Sequence, residues 1–256
     1  MVIPARYAST RFPGKALALL AGKPLVQWVY ECALTAGAAE VLLATDDARI
    51  AAAARAFGAH AVLTAATHAS GTDRIAQVAR DRGWAESDVV VNVQGDEPLM
   101  PAADISQVAE LLAAHVAADI ATLATPIASA AELLDPNVVK VVTDAAGLAL
   151  YFSRAPIPWN RDGAPGGLAS QGDATGSRRH RGLYAYRVEA LRRLAQLPPG
   201  ALEQRERLEQ LRALEHGMRI VVGAAVEEPG PDVNTPADLE QVAALMALRP
   251  VRAPRR

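Results

Sequence analysis

Two short stretches carry the residue types that handle a polyphosphate and a divalent cation. The first, "IPARYASTRFPGK" (residues 3–15), places Arg6, Arg11 and Lys15 beside Ser9 and the Pro13-Gly14 turn, directly after an apolar run. Guanidinium forks match phosphate oxygens, an ammonium acts as a point charge, and turn N–H groups converge on an anion. The stretch is neither Gly-x-x-x-x-Gly-Lys-Ser/Thr nor Gly-x-Gly-x-x-Gly, so those two phosphate loops do not apply. From spacing alone it fits a solvated basic surface loop equally well. The second stretch, "VVVNVQGDEP" (residues 89–98), is an apolar strand pattern that releases Asp96 at its carboxyl end. A carboxylate there suits Mg²⁺, which takes oxygen ligands and bridges phosphates. Taken by itself it also fits a solvated turn or a helix N-cap. Opposite a basic phosphate loop it gains meaning, because phosphoryl chemistry needs a cation to neutralise developing charge.

The elements that must hold these stretches can be read from periodicity. Apolar runs alternate with helical spacing: strands at residues 1–4, 40–45, 60–64, 88–96 and 119–127, and helices at 24–37, 46–58, 71–83 and 103–116. In the first helix Leu25, Trp28, Val29 and Cys32 share a face. Such alternation predicts βαβ units and an α/β fold with a mostly parallel, Rossmann-like sheet covered on both faces. Ligands then bind beyond the carboxyl ends of the strands, where both stretches would lie. Near residue 137 the pattern changes. "NVVKVVTDAAGLALYFSR" reads as a β-hairpin, and residues 159–180 as a long polar, glycine-rich loop. A strand at 182–187 follows. Residues 202–217 read as one amphipathic helix with Leu202, Leu208, Leu211 and Leu214 inward, followed by a strand at 218–226. A last helix has Thr235 as N-cap and Pro236 at its first position. This predicts one domain over residues 1–248, with a hairpin lobe inserted at about 126–187, and a loose tail, "RPVRAPRR", over 249–256.

Composition removes several alternatives. Of 256 residues 51% are hydrophobic, enough for a sizeable core, and the net charge of −2 offers no basic field for nucleic acid. No apolar stretch approaches the ~20 residues of a membrane span, and no charged-then-apolar leader opens the chain. The one cysteine, Cys32, excludes an internal disulfide, fits a reducing cytoplasm and reads as core.

Taken with "HASGTDRIAQV" (68–78), "YFSRAPIPW" (151–159), "RHRGLYAYR" (179–187) and "LEQLRAL" (208–214), in this order, the two stretches closely resemble the 3-deoxy-manno-octulosonate cytidylyltransferases, or CMP-Kdo synthetases. The resemblance runs from Val2 to about Met246. It implies a nucleotidyltransferase sheet with a dimerisation hairpin, and a cytoplasmic homodimer using CTP, Kdo and Mg²⁺. It also implies roles. Ala5, Arg6, Ser9, Arg11 and Lys15 would hold the triphosphate, with Arg11, Lys15 and Asp96 as the catalytic group. Ser70, Gly71, Thr72 and Arg74 would lie by the base and ribose; the plainer alternative is a helix start capped by Thr72. Gln94, Arg154, His180, Tyr184, Glu209 and Gln210 would surround the sugar, and Trp159 would anchor the dimer. A solvated loop for His180, core for Tyr184 and an exposed helix face for Glu209 and Gln210 are the plainer alternatives. A synthetase for 8-amino-Kdo or sialic acid, or a non-catalytic nucleotide-binding relative, are the competing functions.

One departure matters. The family usually has Val-Asp-Thr-Pro before its last helix, with that aspartate on the metal; here "GPDVNTPADLE" has Asn234 there and Asp232 two residues earlier. An amide oxygen carries no charge, and hard cations depend on ligand charge. Asn234 ligates through its oxygen, or Asp232 substitutes from the same side of an extended segment, or the site is impaired. Retained activity, with Asp96, Asp232 and Asn234 as the metal set, is the expectation. The first strand is also short for the family, which would place the true start upstream.

Overall fold

Short apolar runs bounded by turn residues form the strands, and capped, Ala-rich stretches form the helices between them. The computed structural model describes residues 1–9, 11–228 and 230–248, apart from the side chain of residue 169. In chain order these hold β1 (Val2–Ala5), β2 (Leu19–Leu20), β3 (Lys23–Pro24), α1 (Leu25–Leu34), β4 (Leu42–Thr45), α2 (Ala48–Ala56), β5 (His60–Leu63) and α3 (Gly71–Asp81). Then come β6 (Val89–Asn92), α4 (Ala102–Ala114), β7 (Ile120–Pro126), α5 (Ala130–Leu134), β8 (Lys140–Thr143), β9 (Ala149–Ser153) and β10 (Arg178–Arg187). The chain closes with α6 (Val188–Gln196), α7 (Ala201–Glu206), α8 (Gln210–Glu215), β11 (Ile220–Ala224) and α9 (Pro236–Leu248). The tail over 249–256 lies outside the described residues.

Two units can be distinguished: Met1–Asp81 with Asn92–Ile105 and the stretch from Glu227 on, and Arg82–Val91 with Ser106–Val226. In the first unit, β4 runs parallel between β1 and β5, with Val2 opposite Leu42 and Ala5 opposite Thr45. Val2 also pairs in parallel with Asn92. The in-register ladder brings the carboxyl ends of β1 and β4 level, so the loops after Ala5 and Thr45 leave from one edge. All four residues of β4 are buried, as a strand covered on both faces requires. Helix α1 buries Leu25, Val26, Val29, Tyr30 and Ala33, while Trp28 and Cys32 are only partly covered. The buried face is therefore turned slightly from the expected one.

In the second unit, β7 lies between antiparallel β10 and parallel β11. The expected hairpin is β8–β9, and β8 also pairs with β10, Lys140 lying opposite both Ser153 and Arg179. Residues 126–187 fall wholly in this unit. The expected long loop is shorter by three residues, because Arg178–His180 already belong to β10, and it contains a 3₁₀ turn at Leu168–Ser170. The single helix expected at 202–217 is two helices. Arg207 is left-handed (φ 56°), and the carbonyl of Glu206 accepts from Arg154 Nε at 2.7 Å in place of a helical N–H. Leu202 is consequently exposed, whereas Leu208 and Leu211 are buried and Ala213 joins them.

Candidate active site

In the first unit the opening loop, the Asp96 loop and the stretch before α9 are clasped together. Gly95 lies so close to β1 that a Cβ there would meet the Pro4 carbonyl at 2.9 Å, and one at Gly71 would meet the Pro4 ring at 3.2 Å. Three chemistry-bearing stretches thus converge on Pro4, two of them through glycines that allow the approach. Gly14 is left-handed (φ 73°), and its N–H donates to the Tyr7 carbonyl at 2.9 Å, closing the basic loop. Arg49 stacks on the Tyr7 ring 3.4 Å from its centroid. Behind the loop, Leu20, Leu25, Val233 and Val242 form a buried cluster, with Phe12, Leu99 and Leu239 packed on it. Phe12, Leu99 and Val233 each belong to one of the stretches being clasped.

The polar contacts follow from that packing. Lys15 Nζ lies 2.7 Å from Asp96 Oδ2, with only 15% of the lysine side chain exposed. The Asp96 carbonyl accepts from Val233 N at 2.9 Å. Next to Val233, Asn234 Oδ1 accepts from Arg11 Nη2 at 2.7 Å, and Asn234 Nδ2 donates to Asp232 Oδ2. Asp238 accepts from Asn234 N and Thr235 N, and Thr235 Oγ1 accepts from Asp238 N, so α9 is capped as expected and fixes Asn234 from below. These hydrogen bonds hold the Asp238 carboxyl below its ordinary range. Of the remaining loop residues, Ala5 is buried, Ser9 half-buried and Arg6 exposed.

The Ser70–Arg74 group starts a helix, but with a different cap from the expected one. Ser70, not Thr72, caps α3: its Oγ accepts from Asp73 N, and Asp73 Oδ2 accepts from Ser70 N. Thr72 and Arg74 are buried. Arg74 Nη2 pairs with Asp46 at 2.9 Å and Nη1 donates to Thr64. Asp46 and Thr64 follow the carboxyl ends of β4 and β5, so Arg74 ties that edge together. Gln94, also in the first unit, is half-buried. Cys32 Sγ donates to the Met100 carbonyl at 2.9 Å, and burial with the nearby Glu227 charge pushes its pKa up to about 11.

The other expected sugar residues lie in the second unit. Arg154 donates from Nε to the Glu206 carbonyl and from Nη1 to the Pro136 carbonyl at 2.8 Å. Glu206 accepts from Ser153 Oγ at 2.6 Å and Arg154 N at 2.9 Å. The lysine opposite Ser153 is buried: Lys140 Nζ donates to the carbonyls of Asp135, Val138 and Arg154 at 2.9, 2.6 and 2.6 Å. His180 meets Phe152 edge-on at 4.9 Å and Tyr184 at 5.3 Å, and Tyr184 stacks on Tyr186. Burial, with Arg181 nearby, lowers the His180 pKa to about 3. Burial raises that of Tyr184, helped by Tyr186 and Glu209. Glu209 and Gln210, both half-buried, begin α8.

The donor set suits a hard cation delivered with phosphates. Among the described residues no group of three or more His, Cys, Asp and Glu side chains is gathered to hold a metal. Mg²⁺ ordinarily takes one or two protein carboxylates and completes its shell with water and substrate phosphates. Asp96 and Asp232 are carboxylates and Asn234 offers an amide oxygen, on two loops joined by the Val233–Asp96 hydrogen bond. Lys15 and Arg11 already bring positive charge to Asp96 and Asn234.

Sequence reasoning missed Asp46, Thr64, Lys140, Glu206 and Asp238. Asp46 carried the signal used for Asp96, a carboxylate at a strand's end. Lys140 stood out as a charge inside an apolar strand run.

A cytidylyltransferase family model matches residues 1–220. The 3-deoxy-manno-octulosonate cytidylyltransferase of Thioalkalivibrio sulfidiphilus is 55% identical over 246 residues, covering 96% of this chain and 98% of the relative. That of Halorhodospira halophila is 55% identical over 243 residues, covering 95% of each. A solved structure of CMP:2-keto-3-deoxy-manno-octonic acid synthetase complexed with CTP is 44% identical, with a TM-score of 0.86 over 96% of this chain and 97% of that one.

Proposed function

The chain belongs to the 3-deoxy-manno-octulosonate cytidylyltransferases, and from that premise we propose that it transfers CMP from CTP to the anomeric hydroxyl of Kdo, for lipopolysaccharide synthesis. The sugar oxygen attacks the α-phosphorus, the bond to the β-phosphate oxygen breaks, and pyrophosphate leaves in line. The observation that carries this reading is the clasp of a cationic loop on an acidic one through the Lys15–Asp96 and Arg11–Asn234 contacts. Catalysis here is positioning and charge neutralisation. Lys15 and Arg11 take up negative charge on the departing β- and γ-phosphates, and Arg6 and Ser9 hold the chain of phosphates. Bound by Asp96 with Asp232 or Asn234, Mg²⁺ would neutralise phosphate charge at the reacting centre. Ser70, Gly71 and Thr72 line the base and ribose. Buried Arg74 braces them through Asp46 and Thr64, a supporting part in place of direct base contact. Arg154, His180, Tyr184, Glu209 and Gln210 of the second unit receive the sugar.

The reading includes a homodimer in the cytoplasm, where CTP is made. Leu150, Trp159 and Leu168 are exposed apolar side chains of the second unit, which supports a partner contact there. No helix among the described residues is long and apolar enough to cross a membrane. The test is pyrophosphate release from CTP and Mg²⁺ with Kdo, 8-amino-Kdo and sialic acid in parallel. Kdo should give the highest kcat/KM. Preference for another sugar overturns the substrate, and CTP binding without release from any sugar overturns the enzyme.

A further inference from the structure

Thr122 is fully buried on β7, opposite the bulge that separates Arg181 from Tyr184 in β10. Its Oγ1 lies 2.8 Å from the Leu183 carbonyl, 3.0 Å from the Arg181 carbonyl and 3.1 Å from His180 Nε2. A hydroxyl has one hydrogen and two acceptor lone pairs, whereas a carbonyl oxygen only accepts. If the hydrogen went to Nε2, both carbonyl oxygens would face the hydroxyl oxygen with no proton between them. Donation to one carbonyl leaves Oγ1 as an acceptor towards His180, and Nε2 must then carry the ring hydrogen. A neutral imidazole with Nε2–H has a bare Nδ1, which only accepts. The ring is kept neutral by burial against Phe152 and Tyr184. Its backbone is pinned by His180 N donating to the Val139 carbonyl at 2.8 Å. Among the described residues Nδ1 has no hydrogen-bond partner.

We propose that Thr122 is a positioning residue that holds His180 in its Nε2–H tautomer, so that Nδ1 accepts a hydrogen bond from a hydroxyl of the acid sugar and does not pair with its carboxylate. This rests on the reading that His180 faces the sugar. A bare ring nitrogen repels a carboxylate oxygen and binds an O–H donor, so the carboxylate must be met by another group.

The test is imidazole ¹⁵N NMR of histidine-labelled protein without substrates, with His180 assigned by loss of its signals in His180→Gln. The expected spectrum has Nε2 protonated and Nδ1 bare. Thr122→Val should lose that tautomer, Thr122→Ser should restore it, and the KM for the sugar should rise roughly five- to ten-fold in the valine variant alone, with the KM for CTP unchanged. A protonated Nδ1 in the parent protein overturns the tautomer assignment, and this readout survives even if the valine variant does not fold. The expected tautomer with a sugar KM indifferent to both Thr122→Val and His180→Gln instead overturns the placement of His180 at the sugar.

Discussion

Lys140→Met tests how the hairpin presents Arg154. Lys140 is fully buried, and its ammonium donates to three carbonyls, those of Asp135, Val138 and Arg154. Methionine keeps most of the volume and removes all three donors. Each buried acceptor left without a donor costs about 1–3 kcal/mol, a gross loss of about 3–9 kcal/mol. Two effects offset it. Burial pushes the Lys140 pKa down, a sign that keeping the charge inside is itself unfavourable. Replacing a buried ammonium with an apolar group also recovers desolvation energy, so pairs of this kind are worth less than their contacts suggest. The expected net loss is about 2–4 kcal/mol, read by urea unfolding with the m-value unchanged. Because one of the three carbonyls belongs to Arg154, the KM for the sugar should rise while that for CTP stays. Stability within about 0.5 kcal/mol of the parent, with both KM values unmoved, would refute the argument that this lysine organises the hairpin.

Three further outcomes are expected. Asn234→Asp sets a second carboxylate against Asp232 and should lower the Mg²⁺ concentration for half-maximal rate severalfold; an unchanged titration, with Asp232→Asn inactive, would make Asp232 the ligand. Arg74→Met leaves Asp46 without its cation beside β4 and should destabilise the protein by about 3 kcal/mol in thermal melts, weakening CTP binding as a consequence. With a folded pKa of about 3 against ~6.5 unfolded, His180 gives stability that is full above pH 6.5 and is lost as pH falls towards 3, because the unfolded chain takes up the extra proton. The unfolding free energy of His180→Gln should accordingly fall less steeply between pH 6 and 4, by up to about 1.4 kcal/mol per pH unit.

What was legible in the sequence had local causes. The runs that became β1, β4 and β6 are mostly apolar because they are largely covered, and their two polar members, Thr45 and Asn92, end their strands and are buried too. Thr235 as N-cap with Pro236 after it marked the start of α9, directly following the Asn234 that meets Arg11. The basic loop and Asp96 stood out by residue type and position, and the structure brings them within one contact of each other. What escaped reading depends on partners distant in the chain. Residues 202–217 have helical periodicity throughout, yet Glu206 is drawn to Ser153 and Arg154, and the helix breaks at Arg207. Ser70 and Thr72 are both cap formers two residues apart, and only Asp73 closing on Ser70 decides between them. The partners of Arg74, Asp46 and Thr64, come from the ends of two other strands and left no mark near it in the sequence. The tautomer of His180 was out of reach, since it is set by a threonine on the neighbouring strand.

The central claim is that this chain joins CMP to Kdo. Phosphorus NMR of the protein with CTP, Mg²⁺ and Kdo follows both products at once. The account predicts equimolar growth of pyrophosphate and of a CMP phosphodiester, absent without the sugar and lost in Lys15→Met and Asp96→Asn. Unchanged CTP, or pyrophosphate accompanied by free CMP alone, would contradict it.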